Sequence, residues 1–209
     1  ESDLQKMIDR NFWIFGEQYH MIGSENDKYE KLLTVYYKKV LNLNEEEIKE
    51  VKLAKKEVDL MISRIDPGFG EKIMNTIVEI KRPGTLSNLN ESNLTQIKGY
   101  AKDIAENKQF NSHNEEWTFI MVGSDYNKDV EYEIMKGSTR KEGLILSKDD
   151  VRQKIYVKKW SDIINDARFR MEFLKKKLEL KERKIGEEVE LEVEKAKGDR
   201  KLFLEKETK

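Results

Sequence analysis

Three polar side chains interrupt two otherwise apolar runs. Asp59 lies in Glu57-Val58-Asp59-Leu60-Met61-Ile62-Ser63-Arg64, and Glu79 and Lys81 lie in Ile73-Met74-Asn75-Thr76-Ile77-Val78-Glu79-Ile80-Lys81. Two carboxylates side by side repel and need a counter-charge. Lys81 is one; a divalent cation is a better one. Mg²⁺ prefers oxygen ligands, keeps several waters and commonly uses one or two protein carboxylates together with substrate phosphate. Such a site activates water and offsets charge on a pentavalent phosphorus. Lys81 would then hold or help deprotonate the attacking water, or stabilise the phosphorane. Glu-x-Lys alone is weak, because a chain with 40 Lys+Arg and 41 Asp+Glu makes it by chance. On that ground a structural ion cluster on a solvated sheet face competes with the metal site. The context favours the metal site: an apolar strand ending in Glu-x-Lys, a matching strand with a central Asp, and a Pro-Gly stop.

These side chains need two paired strands to position them. The turn signal Asp66-Pro67-Gly68-Phe69-Gly70 lies between the runs, so they read as a hairpin. The hairpin is centred near Phe69, which lies ten residues from both 59 and 79. Folding about that centre sets Asp59 beside Glu79. Period-2 geometry puts Glu79 and Lys81 on one face and Ile80 on the other. Arg82-Pro83-Gly84 closes the strand, since Pro cannot donate to a ladder. Ser92 or Asn93 then caps a helix running to about residue 107, with Leu94, Ile97, Ala101 and Ile104 as its buried stripe. Gln96 and Tyr100, at i and i+4, share one face flanking that stripe. There Gln96 would bind a water or the scissile phosphate, and Tyr100 a backbone phosphate or base; a helix-surface amide and a half-buried tyrosine with no such role are the competing reading.

The remaining pattern is mixed. Leu4, Met7 and Ile8, and Leu32, Leu33, Tyr36, Tyr37 and Val40, recur at helical spacing. Residues 42–56 are Glu/Lys-rich. Residues 116–122, 143–146 and 154–158 read as strands, 127–136 as a short helix, and Trp160 onward as a long amphipathic helix. Past Glu182, Val189, Leu191 and Val193 alternate with Glu, which favours a hairpin over continued helix. The order predicts an α/β fold: a mixed central β-sheet flanked by helices. It divides into an N-terminal helical part (1–56), a core (57–181) and a charged extension (182–209) that forms a hairpin or an interaction element.

At this point four stretches resemble the PD-(D/E)xK nuclease superfamily, with the QxxxY element of its RecB-like branch, and most of all the Shedu-type anti-phage nuclease domain. They are Asn11-Phe12-Trp13-Ile14-Phe15-Gly16-Glu17, Val58-Asp59-Leu60-Met61, Val78-Glu79-Ile80-Lys81-Arg82-Pro83 and Gln96-Ile97-Lys98-Gly99-Tyr100. The likeness covers about residues 3–180. It implies a restriction-endonuclease-like core and a Mg²⁺- or Mn²⁺-dependent DNA nuclease in a prokaryotic defence protein. Asp59 and Glu79 would be metal ligands, Lys81 the catalytic lysine, and Gln96 and Tyr100 supporting residues. The superfamily often adds an acid from a preceding helix, and Glu17 is the candidate. Val58 stands where the pattern often has Pro.

Composition narrows the alternatives. With no Cys and two His, the chain has no disulfide framework, thiolate zinc site or catalytic thiol. No run approaches the ~20 apolar residues of a membrane helix, and no signal peptide is visible, so a soluble cytoplasmic protein is expected. A P-loop and a Rossmann fingerprint are absent. A net charge of −1 argues against a strongly basic DNA binder. However, Lys81, Arg82, Lys98 and Lys102 fall around the expected cleft, so Arg82, Lys98 and Tyr100 are the candidate DNA contacts. DNA capture would then lean on homo-oligomerisation, or on a missing N-terminal sensor or ATPase region, since the chain opens on Glu1 rather than Met. The alternative function is a non-catalytic nucleic-acid-binding or oligomerisation module that keeps the nuclease fold.

Overall fold

The structure is a computed structural model, and it describes residues 2–24, 29–41, 58–66, 72–81, 88–107, 114–136, 143–150 and 152–207. In chain order the helices are α1 (Ser2–Arg10), a 3-10 turn (Phe12–Phe15), α2 (Tyr29–Lys39), α3 (Glu91–Glu106), α4 (Lys128–Lys136) and α5 (Trp160–Glu207). The strands are β1 (His20–Ser24), β2 (Leu60–Asp66), β3 (Lys72–Ile80), β4 (Asn88–Leu89), β5 (Glu115–Gly123), β6 (Asp125–Tyr126), β7 (Leu144–Lys148) and β8 (Gln153–Lys159). The fold is α/β, with a mixed six-stranded sheet in the order β1-β2-β3-β5-β8-β7 and helices flanking it. β1, β2 and β3 are antiparallel neighbours; β3, β5 and β8 run parallel; β7 returns antiparallel to β8.

The register of β2 against β3 follows from the symmetric spacing of the two apolar runs. Leu60 pairs with Val78, Met61 with Ile77, Ser63 with Asn75 and Asp66 with Lys72. Strand periodicity sorts the two faces. Leu60, Ile62, Val78 and Val122 join Ile8 and Ile163 in one core. Met61, Ile77, Phe119, Met121, Ile155 and Val157 join Leu32, Leu33, Tyr36, Tyr37, Leu94, Ile97 and Ile104 in the other. Asn75 and Glu79 lie two residues to either side of Ile77 and therefore share this second face, toward α2 and α3.

α3 is capped two residues earlier than Ser92 and three earlier than Asn93, by Asn90. The Asn90 side chain accepts from the Ser92 N–H at 3.0 Å and the Asn93 N–H at 3.3 Å, and the Asn93 side chain accepts from the Asn90 N–H at 3.0 Å. This reciprocal box fixes the start of the helix. At the other side of the sheet, Gly143 sits at φ +77°, where a Cβ would collide with the Val157 carbonyl. The carbonyl of Gly143 accepts the Val157 N–H at 2.7 Å and anchors the β7 bulge.

The structure departs from expectation in three places. The first 56 residues are not all helical: β1 pairs with β2 as an edge strand. Asn88–Leu89, just before α3, forms β4, which the sequence reading did not include and which pairs with β6 in a small parallel sheet. The tail is not a hairpin, because α5 continues to Glu207. Its Glu and Lys fall four apart, as in Lys175–Glu179 (4.0 Å) and Arg183–Glu187 (3.7 Å), a spacing that favours helix over strand. The chain divides into the compact units Glu1–Ile164 and Asn165–Lys209. Among the described residues no helix is long and apolar enough to cross a membrane.

Candidate active site

β3, β5 and β8 end together at their C-terminal edge, and α3 crosses over from β3 to β5. In open α/β sheets this edge is where side chains from strand ends converge. Glu79 is the second-last residue of β3 and Lys81 lies just beyond its end, where its N–H donates to the Val122 carbonyl at 2.7 Å. Gln96 and Tyr100 reach the same point from one face of α3.

The four side chains form one hydrogen-bonded cluster. Lys81 Nζ donates to Glu79 Oε1 at 2.9 Å and to Gln96 Oε1 at 3.0 Å. Gln96 Nε2 donates to Glu79 Oε1 at 2.7 Å and to the Tyr100 hydroxyl at 3.2 Å. Tyr100 donates to Glu79 Oε2 at 3.3 Å. Glu79 is only 6% exposed, so its charge would be costly without these donors. Gln96 is the hinge of the cluster: its amide gives to the carboxylate and takes from the ammonium. This fixes the relative position of two flexible charged side chains. Lys81 is the more open partner, with 28% of its side chain exposed against 8% for Glu79.

Asp59 enters from the neighbouring strand. Continuing the β2–β3 register by one residue sets it across from Glu79, and its Oδ2 accepts the Ile80 N–H at 2.6 Å. That bond to the backbone pins the carboxylate at the strand end. Tyr100 is pushed above its ordinary value near 10, first by burial and then by the negative charge of Glu79, with Asp59 adding to it. Its hydroxyl therefore remains a proton donor to Glu79 at any working pH.

The other expected site residues are placed differently. Tyr100 is 1% exposed, too deep to meet a nucleic-acid backbone or base; it orients Glu79 instead. Lys98 lies about 200° around α3 from Gln96, and its Nζ pairs with Glu133 of α4 at 3.6 Å, away from the cluster. Lys102 pairs with Glu106 at 3.6 Å along the helix surface. Glu17 is exposed in the turn before β1. Among the described residues no three His, Asp or Glu side chains converge in a metal-holding group, so Glu17 does not complete a set with Asp59 and Glu79. Arg82 lies outside the described residues. Phe12, Ile14, Phe15 and Tyr19 of the N-terminal aromatic segment pack against the core of Ile8, Leu60, Ile62 and Val78, while Trp13 stays at the surface.

One pair at this edge had no signal in the sequence. Lys159, in register with Gly123, ends β8 as Lys81 follows β3. Its Nζ contacts Asp125 at 2.6 Å and lies over the Tyr126 ring at 4.7 Å. The bond to Asp125 raises its pKa, so it stays cationic, but it is already engaged by an acid. A Lys-Lys ending on a short strand is too common to single out by spacing.

The donor set suits a hard divalent cation better than any other metal. Asp59 and Glu79 offer carboxylate oxygens from adjacent strands, and Glu79 Oε2 carries the longest and most easily exchanged of its bonds. Two carboxylates with the remaining positions filled by water and substrate match Mg²⁺ or Mn²⁺ habits. Compared with known proteins, the chain matches no family model, no curated protein and no solved structure. The class defined by fold and site is therefore an α/β protein with a carboxylate–lysine–glutamine–tyrosine cluster at the C-terminal edge of its parallel strands.

Proposed function

We propose that the chain is a Mg²⁺- or Mn²⁺-dependent DNA nuclease of the PD-(D/E)xK kind, with a restriction-endonuclease-like core, acting as the effector domain of a Shedu-like prokaryotic defence protein. The observation that carries this reading is the bonding of Glu79, Lys81 and Gln96 into one cluster, with Asp59 in register beside it. A merely structural ion pair needs no glutamine bridging both charges, and no second carboxylate fixed on the next strand.

Asp59 and Glu79 would hold the cation, which supplies an activated water and offsets negative charge on the phosphodiester. Lys81, the open member, directs its ammonium toward the attacking water or the phosphorane oxygens. Gln96 holds Lys81 against Glu79, so the ammonium is preorganised rather than recruited. Tyr100, protonated and buried, keeps Glu79 turned toward the strand end. Assembly into a homo-oligomer, or attachment to a sensor or ATPase region, would supply the DNA affinity that a net charge of −1 does not.

The test is incubation of the purified chain with plasmid, linear duplex, single-stranded DNA and RNA, with Mn²⁺, Mg²⁺ or EDTA. Metal-dependent cleavage of DNA, lost in Lys81→Ala, is expected. Calorimetric titration with Mn²⁺ provides a second readout: binding in the wild type, weakened in Glu79→Gln. Absence of both cutting and Mn²⁺ binding would turn the assignment to a non-catalytic binding module.

A further inference from the structure

We infer that the chain holds a second ligand site, for a small phosphate monoester, at the end of the sheet remote from Glu79 and Lys81. Three features lead there.

The first is a cavity with surplus positive charge. It has a volume of about 320 Å³ and lies where β5 and β8 begin and β7 ends. Its lining holds Lys72, Lys148, Arg152 and Lys154 against Glu116 and Asp149. Lys72 engages Glu116 at 2.7 Å. That bond, with the charges of Lys154 and Arg152 behind it, holds the Glu116 carboxyl below its ordinary range, so these cations converge. Among the described residues no ion pair engages Lys148, Arg152 or Lys154. Other surface lysines behave differently: Lys98, Lys102, Lys136 and Lys159 each meet an acid. With Lys72 and Glu116 offsetting one another, three cations face Asp149 alone. That surplus matches a dianion. A phosphate monoester approaches two negative charges at neutral pH, whereas a phosphodiester carries one. The site is separate from the strand-end cluster. Glu116 lines the cavity, and Val122, six residues along β5 and so about 20 Å away, receives the Lys81 N–H.

The second is the backbone of Arg152. Among the described residues it alone, glycines apart, has a positive φ, at +46°. Glycine is the default residue at such a position, and strain of this kind gathers at ligand sites. The Arg152 N–H donates to the Asp149 carbonyl at 3.3 Å, and its carbonyl accepts the Trp117 N–H at 3.0 Å. Glycine would make both bonds, so the turn itself does not call for a guanidinium. A guanidinium fork does suit phosphate oxygens.

The third is Gln153. It lines the cavity, is 2% exposed, and its Nε2 has no hydrogen-bond partner. Buried amide donors are paired as a rule, so an oxygen acceptor is what this end of the sheet lacks. Trp117, the one aromatic residue of the lining, is 1% exposed and offers no face for a base to stack on. The body carried by the phosphate is therefore a sugar or polyol rather than a nucleobase.

The experiment is calorimetric titration of the full chain with ribose 5-phosphate and with inorganic phosphate, in EDTA at constant ionic strength. Dimethyl phosphate and a short DNA duplex are the comparators. Saturable binding of both monoanionic-to-dianionic phosphates is expected, with dimethyl phosphate about tenfold weaker. Arg152→Gly should weaken ribose 5-phosphate about tenfold without lowering the melting temperature, because glycine suits the backbone there. Lys154→Gln should weaken it similarly, and Lys81→Ala should bind as the wild type does. No saturable binding of either phosphate overturns the site, as does wild-type affinity in both Arg152→Gly and Lys154→Gln. Equal affinity for dimethyl phosphate overturns the choice of a monoester. Loss of binding in Lys81→Ala would move the phosphate to the strand-end cluster and overturn the second site. Duplex binding that Arg152→Gly weakens, with no monoester binding, would make the cavity a nucleic-acid contact and overturn it as well.

Discussion

β3 carries a buried polar residue near each end, and the two ends are built for different purposes. Asn75 and Glu79 lie on the same face, two strand repeats apart, and both are buried, at 1% and 6% exposed. Around Asn75 the partners are hydroxyls and a carboxylate in the protein interior. Ser63 donates to Asn75 Oδ1 at 2.8 Å, Asn75 Nδ2 donates to the Tyr36 hydroxyl at 3.0 Å, and Tyr36 also meets buried Glu115. Around Glu79 a partly exposed ammonium completes the cluster, and a second carboxylate stands beside it. Burial of a polar group is therefore common to both ends and decides nothing. What separates a site from a structural knot is the open cation and the paired acid at the strand end. The sealed end is closed over by hydroxyl partners; the open end is where the proposed chemistry is placed.

This contrast sets an order of expected effects. The largest is at the open end: Glu79→Gln or Lys81→Ala should lower metal-dependent DNA cleavage by about 10²-fold or more, with the melting temperature little changed. At the sealed end the signs reverse. Asn75→Ala strips buried partners from Ser63 and Tyr36 and should cost about 1–3 kcal/mol in urea unfolding, leaving cleavage by the folded fraction intact. If Asn75→Ala abolished cutting without lowering stability, the two ends would not be distinct. Tyr100→Phe is intermediate: losing a bond of about 1 kcal/mol to Glu79 predicts an approximately fivefold fall in rate. The smallest effect belongs to Lys98→Ala. Its pair with Glu133 is solvent-exposed, so stability should shift by no more than about 0.5 kcal/mol and cleavage not at all.

The buried tyrosines add a pH signature. Tyr36, Tyr37 and Tyr100 are all held above the ordinary value near 10, each chiefly by burial and then by a neighbouring carboxylate. Their stabilising contribution is complete below pH 10 and declines above it, where the unfolded chain ionises and the native one does not. Denaturant midpoints should therefore fall as pH rises past 10, and less steeply in Tyr100→Phe.

Much of the open end was legible because it rests on two regular periods. The equal ten-residue arms about Phe69 gave the register that sets Asp59 across from Glu79, and the i, i+4 spacing placed Gln96 and Tyr100 on one face. The depth of Tyr100 was not legible: it sits within the Ile97–Ala101–Ile104 stripe, and only packing against β3 reveals that it faces the core. Lys98 was misplaced for the converse reason. Proximity in sequence to Gln96 suggested the cleft, while two residues of helix turn it toward α4. Glu17 was carried by resemblance alone, and its turn leaves it exposed. β1 was missed because His20-Met21-Ile22-Gly23-Ser24 is a five-residue edge strand with a glycine and a bulge. The tail misled because Val and Glu alternate over only five residues, whereas the surrounding charges follow a four-residue spacing.

The most direct test of the central claim is plasmid cleavage in Mn²⁺, comparing wild type with Asp59→Ala, Glu79→Ala and Lys81→Ala at equal folded concentration. The account predicts cutting by the wild type alone. Undiminished Mn²⁺-dependent cutting by all three variants would contradict it and remove the strand-end cluster from the chemistry.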